Sequence, residues 1–174
     1  MKVFAGVLAF GGVVAGSVGA ETTSEKVYSY KHWEVEIVAF DDGGFACVAE
    51  VDAVTESFSI WTYQDNTARL QFYSTAWDFG ETGETANLSV QIDRRTPWTL
   101  NNADLYKNSV LFDLPDSDDG VRFLVEVARG NVMYLRSETG EHVQSYSLAG
   151  SRASMDALIE CGEVITGASK NPFN

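Results

Sequence analysis

Residues 33–51, WEVEIVAFDDGGFACVAEV, decide the fold. Trp33, Val35, Ile37 and Ala39 fall on one side of an extended chain, while Glu34 and Glu36 point to the other. Asp41-Asp42-Gly43-Gly44 then supplies turn residues, and Phe45, Cys47, Ala49 and Val51 resume the alternation. A period of two on both sides of a glycine-rich turn specifies an antiparallel hairpin with one buried face.

The same grammar continues downstream. Phe58 to Tyr63 and Arg69 to Ser74 flank the polar turn Gln64-Asp65-Asn66-Thr67 and predict a second hairpin. Leu88, Val90 and Ile92 alternate with Asn87, Ser89, Gln91 and Asp93, the pattern of a half-buried strand. Shorter strands are predicted at Trp98 to Leu100 and Ser109 to Leu114, each bordered by a proline. Ser117 or Asp118 can cap a helix whose apolar face would be Val121, Leu124, Val125 and Ala128, with Gly130 beyond its end. A third hairpin, Val132 to Arg136 with Val143 to Leu148, leads to a last helix that Ser151 would cap and Gly162 would end. Seven to nine short strands and two short helices predict a mainly β fold, an antiparallel β-sandwich or open barrel.

The N-terminus reads as an export signal. Lys2 provides the positive charge, Val3 to Val14 is almost wholly apolar or glycine, and Val18-Gly19-Ala20 offers a cleavage point. That reading divides the chain into a signal peptide at 1–20, a flexible arm at 21–31, one β-rich domain at 32–165 and a tail at 166–174. No later stretch approaches the ~20 apolar residues that a spanning helix needs, so no transmembrane segment is expected after signal removal. The expected location is periplasmic or secreted.

Of the 174 residues, 12 are Lys or Arg and 25 are Asp or Glu. Losing Lys2 leaves 11 basic residues, a net charge of -14. That field makes nucleic acid and anionic lipid poor partners and favours a cationic partner, and it also promotes solubility. Cys47 and Cys161 are the two cysteines. An even pair in an oxidising compartment is most simply a disulfide, which would tether the last helix to the first hairpin. Separate thiols for redox or metal work would call for a Cys-x-x-Cys spacing or a histidine cluster, and neither occurs.

Trp33-Glu34-Val35 opening the first strand, Cys47 after the Asp41 to Gly44 turn, and Tyr146-Ser147-Leu148-Ala149-Gly150-Ser151 leading through Ala157-Leu158 to Cys161 form an ordered set. In that order the chain resembles the invasion-associated locus B family of small periplasmic proteins of Gram-negative bacteria. The resemblance spans about 130 residues as a pattern. It implies an exported β-sandwich without a known enzymatic activity, linked to envelope or host-interaction phenotypes. It supplies no catalytic residue.

The residues themselves assign no catalytic, cofactor-binding or metal-ligating role. His32 and His142 lie apart in sequence, and no G-x-S-x-G elbow occurs. Asp116-Ser117-Asp118-Asp119-Gly120 with Glu126 has the glycine and glutamate spacing of a calcium loop, but its first ligand position would be Pro115. A helix cap accounts for it better. Trp33, Trp61, Tyr63, Tyr73, Trp77 and Trp98 fall on strands or their ends and would form a binding platform if several shared a solvent face. The function expected is therefore a non-enzymatic interaction module with a protein or envelope-glycan partner and no cofactor. The alternatives are an acidic inhibitor of a cationic hydrolase such as lysozyme, and a glycan hydrolase using paired carboxylates.

Overall fold

The computed structural model describes residues 22–168. The signal reading at 1–20 lies outside the described residues, as do positions 169–174 of the tail read at 166–174, whereas 166–168 belong to the last helix. The first hairpin forms as the alternation dictates: β2 (Trp33–Ala39) and β3 (Phe45–Asp52) pair in unbroken antiparallel register, from Trp33 opposite Val51 to Ala39 opposite Phe45. Gly43 closes the turn at φ +85°, where a side chain would be strained, and Asp42 accepts the Gly44 N–H at 2.9 Å. β4 (Glu56–Tyr63) and β5 (Ala68–Ser74) add the second hairpin.

The segment read as a flexible arm is instead strand β1 (Thr23–Tyr30), paired antiparallel with β2 through a bulge between Lys26 and Tyr28. The strands that follow are β6 (Glu84–Ile92), β7 (Trp98–Tyr106), β8 (Ser109–Leu114), β9 (Val132–Ser137) and β10 (His142–Ser147). All ten belong to one antiparallel sheet in the order β1-β2-β3-β4-β5-β8-β7-β6-β9-β10. Its two inner faces meet because the sheet curls. Laid flat, five strand spacings would put β5 and β10 about 24 Å apart. The rings of Phe72 on β5 and Tyr146 on β10 are in fact 5.9 Å apart, and Phe58 on β4 lies 5.8 Å from Tyr146. β1 and β10 do not pair, so the mainly β architecture is a sheet curled over its own core with an open seam.

Helix α1 (Asp118–Arg129) lies between β8 and β9, and α2 (Ser151–Ala168) follows β10. α1 buries Gly120, Phe123 and Val127, whereas Val121 and Val125 are exposed. Its apolar stripe is thus rotated from the expected one. Phe123 sets the rotation by packing edge-on against Trp98, with ring centroids 5.6 Å apart. Ser117 precedes the helix but makes no side-chain capping bond.

α2 packs against the inner side of β1 to β4 through Met155, Leu158, Cys161 and Ile165, all buried. It does not stop at Gly162. A Cβ there would meet Thr62 of β4 at an ordinary 3.8 Å, so the position is open to a side chain, and the helix runs on to bury Ile165. Ser151 is buried and donates to the Val127 carbonyl at 2.8 Å, joining the start of α2 to the end of α1 in place of the cap expected of it. The Cys47–Cys161 disulfide forms, with Cα atoms 6.1 Å apart, and holds α2 on β3. No helix among the described residues is long and apolar enough to cross a membrane.

Candidate functional site

The outer face of the first four strands carries a concavity. With Trp33, Val35 and Ile37 turned inward, Glu34, Glu36 and Val38 of β2 must face out. Cys47, Ala49 and Val51 turn Val48, Glu50 and Asp52 of β3 the same way. The register places Glu34 opposite Glu50 and Glu36 opposite Val48. Trp61 of β4 stands opposite Val48, and Thr22 and Ser24 border the far side. Together they enclose about 290 Å³.

Four carboxylates therefore surround an apolar floor of Val38 and Val48 with one indole wall. Like charges opposite one another on a sheet repel. Glu34 is relieved by Lys26, whose Nζ lies 2.5 Å from its carboxylate. Glu50 has no such cation. Burial and then the Asp52 charge push its carboxyl above the ordinary value, with Glu36 and Glu34 adding to the effect and only a hydrogen bond with Ser57 opposing it. Trp61 is fixed by donating from Nε1 to Ser59 Oγ at 3.1 Å and to Gln71 Oε1 at 3.0 Å. Gln71 in turn donates to Ser109 Oγ at 2.9 Å, which extends this polar ladder across β5 to β8.

The six aromatic residues singled out from the sequence occupy separate settings. Trp33 is fully buried, edge-on to Phe58 at 6.2 Å between centroids. Trp98 supports α1 from within, donating to Glu126 at 3.0 Å while the Arg122 guanidinium lies 4.7 Å over its ring. Trp77 sits in the β5–β6 loop, 5.6 Å from Phe79. Trp61, Tyr63 and Tyr73 are half-buried on the outer face, and of these only Trp61 lines the acidic concavity.

The remaining candidates have structural employment. Glu126, the twelfth position of the calcium-like segment, accepts from Trp98 and lies 3.9 Å from Arg95. Gly120 is inside α1, where a Cβ would come within 2.2 Å of the Pro115 carbonyl oxygen, so close packing explains it. Among the described residues, no group of three or more His, Cys, Asp or Glu side chains is arranged to hold a metal ion. Asn87 donates to Glu138 and accepts the Asn102 N–H, so both ends of its amide are engaged. His32 lies exposed in the β1–β2 turn, and His142 starts β10 with its ring 6.4 Å from that of Tyr134.

No family model, no curated protein and no solved structure matches the chain. The site must be read from its own chemistry. Sequence reasoning placed Glu34 and Glu36 on the solvent side but did not assemble the concavity. The missing step was the hairpin register, which sets Glu34 against Glu50.

Proposed function

We propose that the chain is an exported, non-enzymatic interaction module of the cell envelope or host interface, periplasmic or secreted, whose outer β1–β4 face receives a cationic protein partner. The single observation that carries this reading is the concavity that gathers Glu34, Glu36, Glu50 and Asp52 on one face, with Glu34 directly opposite Glu50. A site whose own charges repel gains when a positive group enters, because one cation relieves several unfavourable pairs at once. The Cys47–Cys161 bond supports an oxidising destination, as does the signal-like pattern from Met1 to Ala20. The resemblance to the invasion-associated locus B family supports the same class.

Lysozyme, a cationic hydrolase, is the natural first probe. Association at low ionic strength that weakens steeply with salt, and that weakens again in a Glu36→Gln, Glu50→Gln double variant, is the expected result. Loss of lysozyme activity in the complex would specify an inhibitor. No association with lysozyme or another cationic protein at low salt would dismiss the reading.

The same carboxylates favour one second reading. A carboxyl with a raised pKa beside another carboxylate is the acid and base pairing of glycan hydrolysis, and Trp61 could stack on a sugar. Turnover of peptidoglycan or chitin oligomers that Glu50→Gln abolishes would establish it. An inactive wild-type protein would remove it.

A further inference from the structure

We infer that the partner engages as an extended cationic segment, which adds as an eleventh strand to the free edge of β1 and lays a Lys or Arg side chain into the acidic concavity. This inference rests on the proposed docking of a cationic partner, and adds the form in which the partner binds.

Three features of β1 point to it. First, β1 ends the sheet: it pairs with β2 on one side, and among the described residues no strand pairs with its other edge. Thr23 to Val27 are all exposed, so the outward backbone groups there are open to a partner. An edge of this kind is a template for a further strand, with main-chain hydrogen bonds giving affinity and side-chain slots giving selectivity.

Second, the concavity reaches that edge. Thr22 and Ser24 form its rim and both are small, and Lys26, the residue opposite Glu36, has its ammonium drawn to Glu34, so the entry from the edge runs past Ser24. A strand added outside β1 would lie about 10 Å from β2, two strand spacings away. A lysine or arginine stem reaching inward and a glutamate stem reaching outward close that gap. Alternate residues of the added strand would point to this face, so the segment recognised carries its basic residues at every second position.

Third, the devices that usually protect an edge are local here. Edge lysines and bulges discourage pairing. The only lysine within β1 is Lys26, and its charge is matched by Glu34 at 2.5 Å. The bulge lies between Lys26 and Tyr28, which leaves Thr23 to Lys26 regular. That regular half is the half beside the concavity. Toward the opposite edge of the sheet, at β10, a cavity of about 240 Å³ is lined by His32, Asp52, Glu56 and Tyr146 among others, with two carboxylates where the β1–β4 face gathers four.

The test uses the exported, disulfide-bonded protein and a labelled ten-residue peptide alternating Lys with Thr. Two further peptides carry backbone N-methyl groups on all the Lys or on all the Thr residues, and a fourth has Glu in place of Lys. In an antiparallel ladder only alternate residues of a strand direct both N–H and C=O at a given neighbour. One methylated peptide should therefore bind at least tenfold more weakly than the parent, while the other stays close to it. Amide exchange at Thr23 to Lys26 should slow at least tenfold in the complex, and the Glu peptide should not bind. Equal binding by the parent and both methylated peptides, with unchanged β1 exchange, would overturn strand addition and leave the acidic docking face intact. Failure of the parent peptide to bind at low salt would overturn both.

Discussion

Replacing Cys47 and Cys161 together with alanine should bring the fold to the edge of stability. The bond joins positions 114 residues apart, and the chain entropy released by opening a ring of that size amounts to about 5 kcal/mol. Both cysteines are buried, at 0% and 7% exposure, so their replacement also leaves two small gaps in the core, each costing about 1 kcal/mol. Against a net stability of about 5–15 kcal/mol, that loss is a large share. Urea unfolding followed by tryptophan fluorescence would measure it. With a slope of about 2 kcal/mol per molar, a loss of about 7 kcal/mol should lower the midpoint by roughly 3.5 M. Far-UV circular dichroism should lose the helical and sheet signals together, because α2 is part of the core and not an appendage. A loss below about 1 kcal/mol at unchanged slope would refute the reasoning, since the unfolded chain would then have been constrained by something other than this bond.

Gly130→Ala would push a methyl to 2.5 Å from Ile92 Cγ2 and 2.7 Å from Leu148 Cδ1, both in the core, and should destabilise by about 1–3 kcal/mol in the same urea assay. Tyr146 is buried and donates to Gln144, and burial, aided by the Glu56 charge, raises its pKa. Its contribution is intact below the ordinary tyrosine value near pH 10 and is lost as pH rises through the folded-state value, so Tyr146→Phe should flatten the alkaline fall of the thermal midpoint. Asp93 behaves oppositely. Burial alone would raise its carboxyl, but N–H groups of Val132 and Asn131 outweigh this and hold it below the ordinary value, so Asp93→Ala should lower the thermal midpoint at pH 7 and reduce the loss seen on acidification below pH 4. Glu50 is raised, so its contribution is complete below about pH 4.5 and is lost as pH rises through the folded-state value. Glu50→Gln should thus match the wild type near pH 4 and show the higher urea midpoint at pH 7.

The strands, turn and faces of the hairpin at 33–51 were legible because each inward position meets the same core, so the alternation runs unbroken; the register from Trp33–Val51 to Ala39–Phe45 came with the structure. β1 was not, because an edge strand packs on one side only: its residues, TSEKVYSY, are nearly all exposed and carry no apolar alternation. Its existence follows from pairing with β2, a property of β2's unsatisfied edge and not of β1's own pattern. The strand order was equally hidden. β5 pairs with β8 and β6 with β9, contacts that skip sequence neighbours and leave no local trace. In α1 the valines at 121 and 125 outweighed Phe123 in the pattern, yet the ring of Phe123 had to be placed against Trp98, and the helix turned to do so. The acidic concavity lay between these cases. Every residue of its β2 and β3 walls was on the solvent side of a hairpin already recognised, but a parity pattern identifies faces, and only register brings Glu34 and Glu50 together.

The position of these carboxylates is informative because stability does not require them. The inner face of β1 to β4 is secured by α2 and the disulfide, so the outer positions are free to carry residues that the sheet itself disfavours. Valine or threonine opposite Glu34 would suit a strand better than a second glutamate. Yet position 50 carries the glutamate, flanked by Asp52 on the same side, and its carboxyl pKa is raised by burial first and by the Asp52 charge next. A fold that is cross-linked at the back of a face can retain repulsion at the front of it, and that repulsion is released only when positive charge arrives. Stabilising substitutions that cost binding are the usual mark of such a surface. The two effects of Glu50→Gln, a firmer fold at neutral pH and a weaker hold on a cationic probe, should therefore appear together. A variant that gained stability while binding the probe as tightly as before would show the acidic wall to be incidental to recognition.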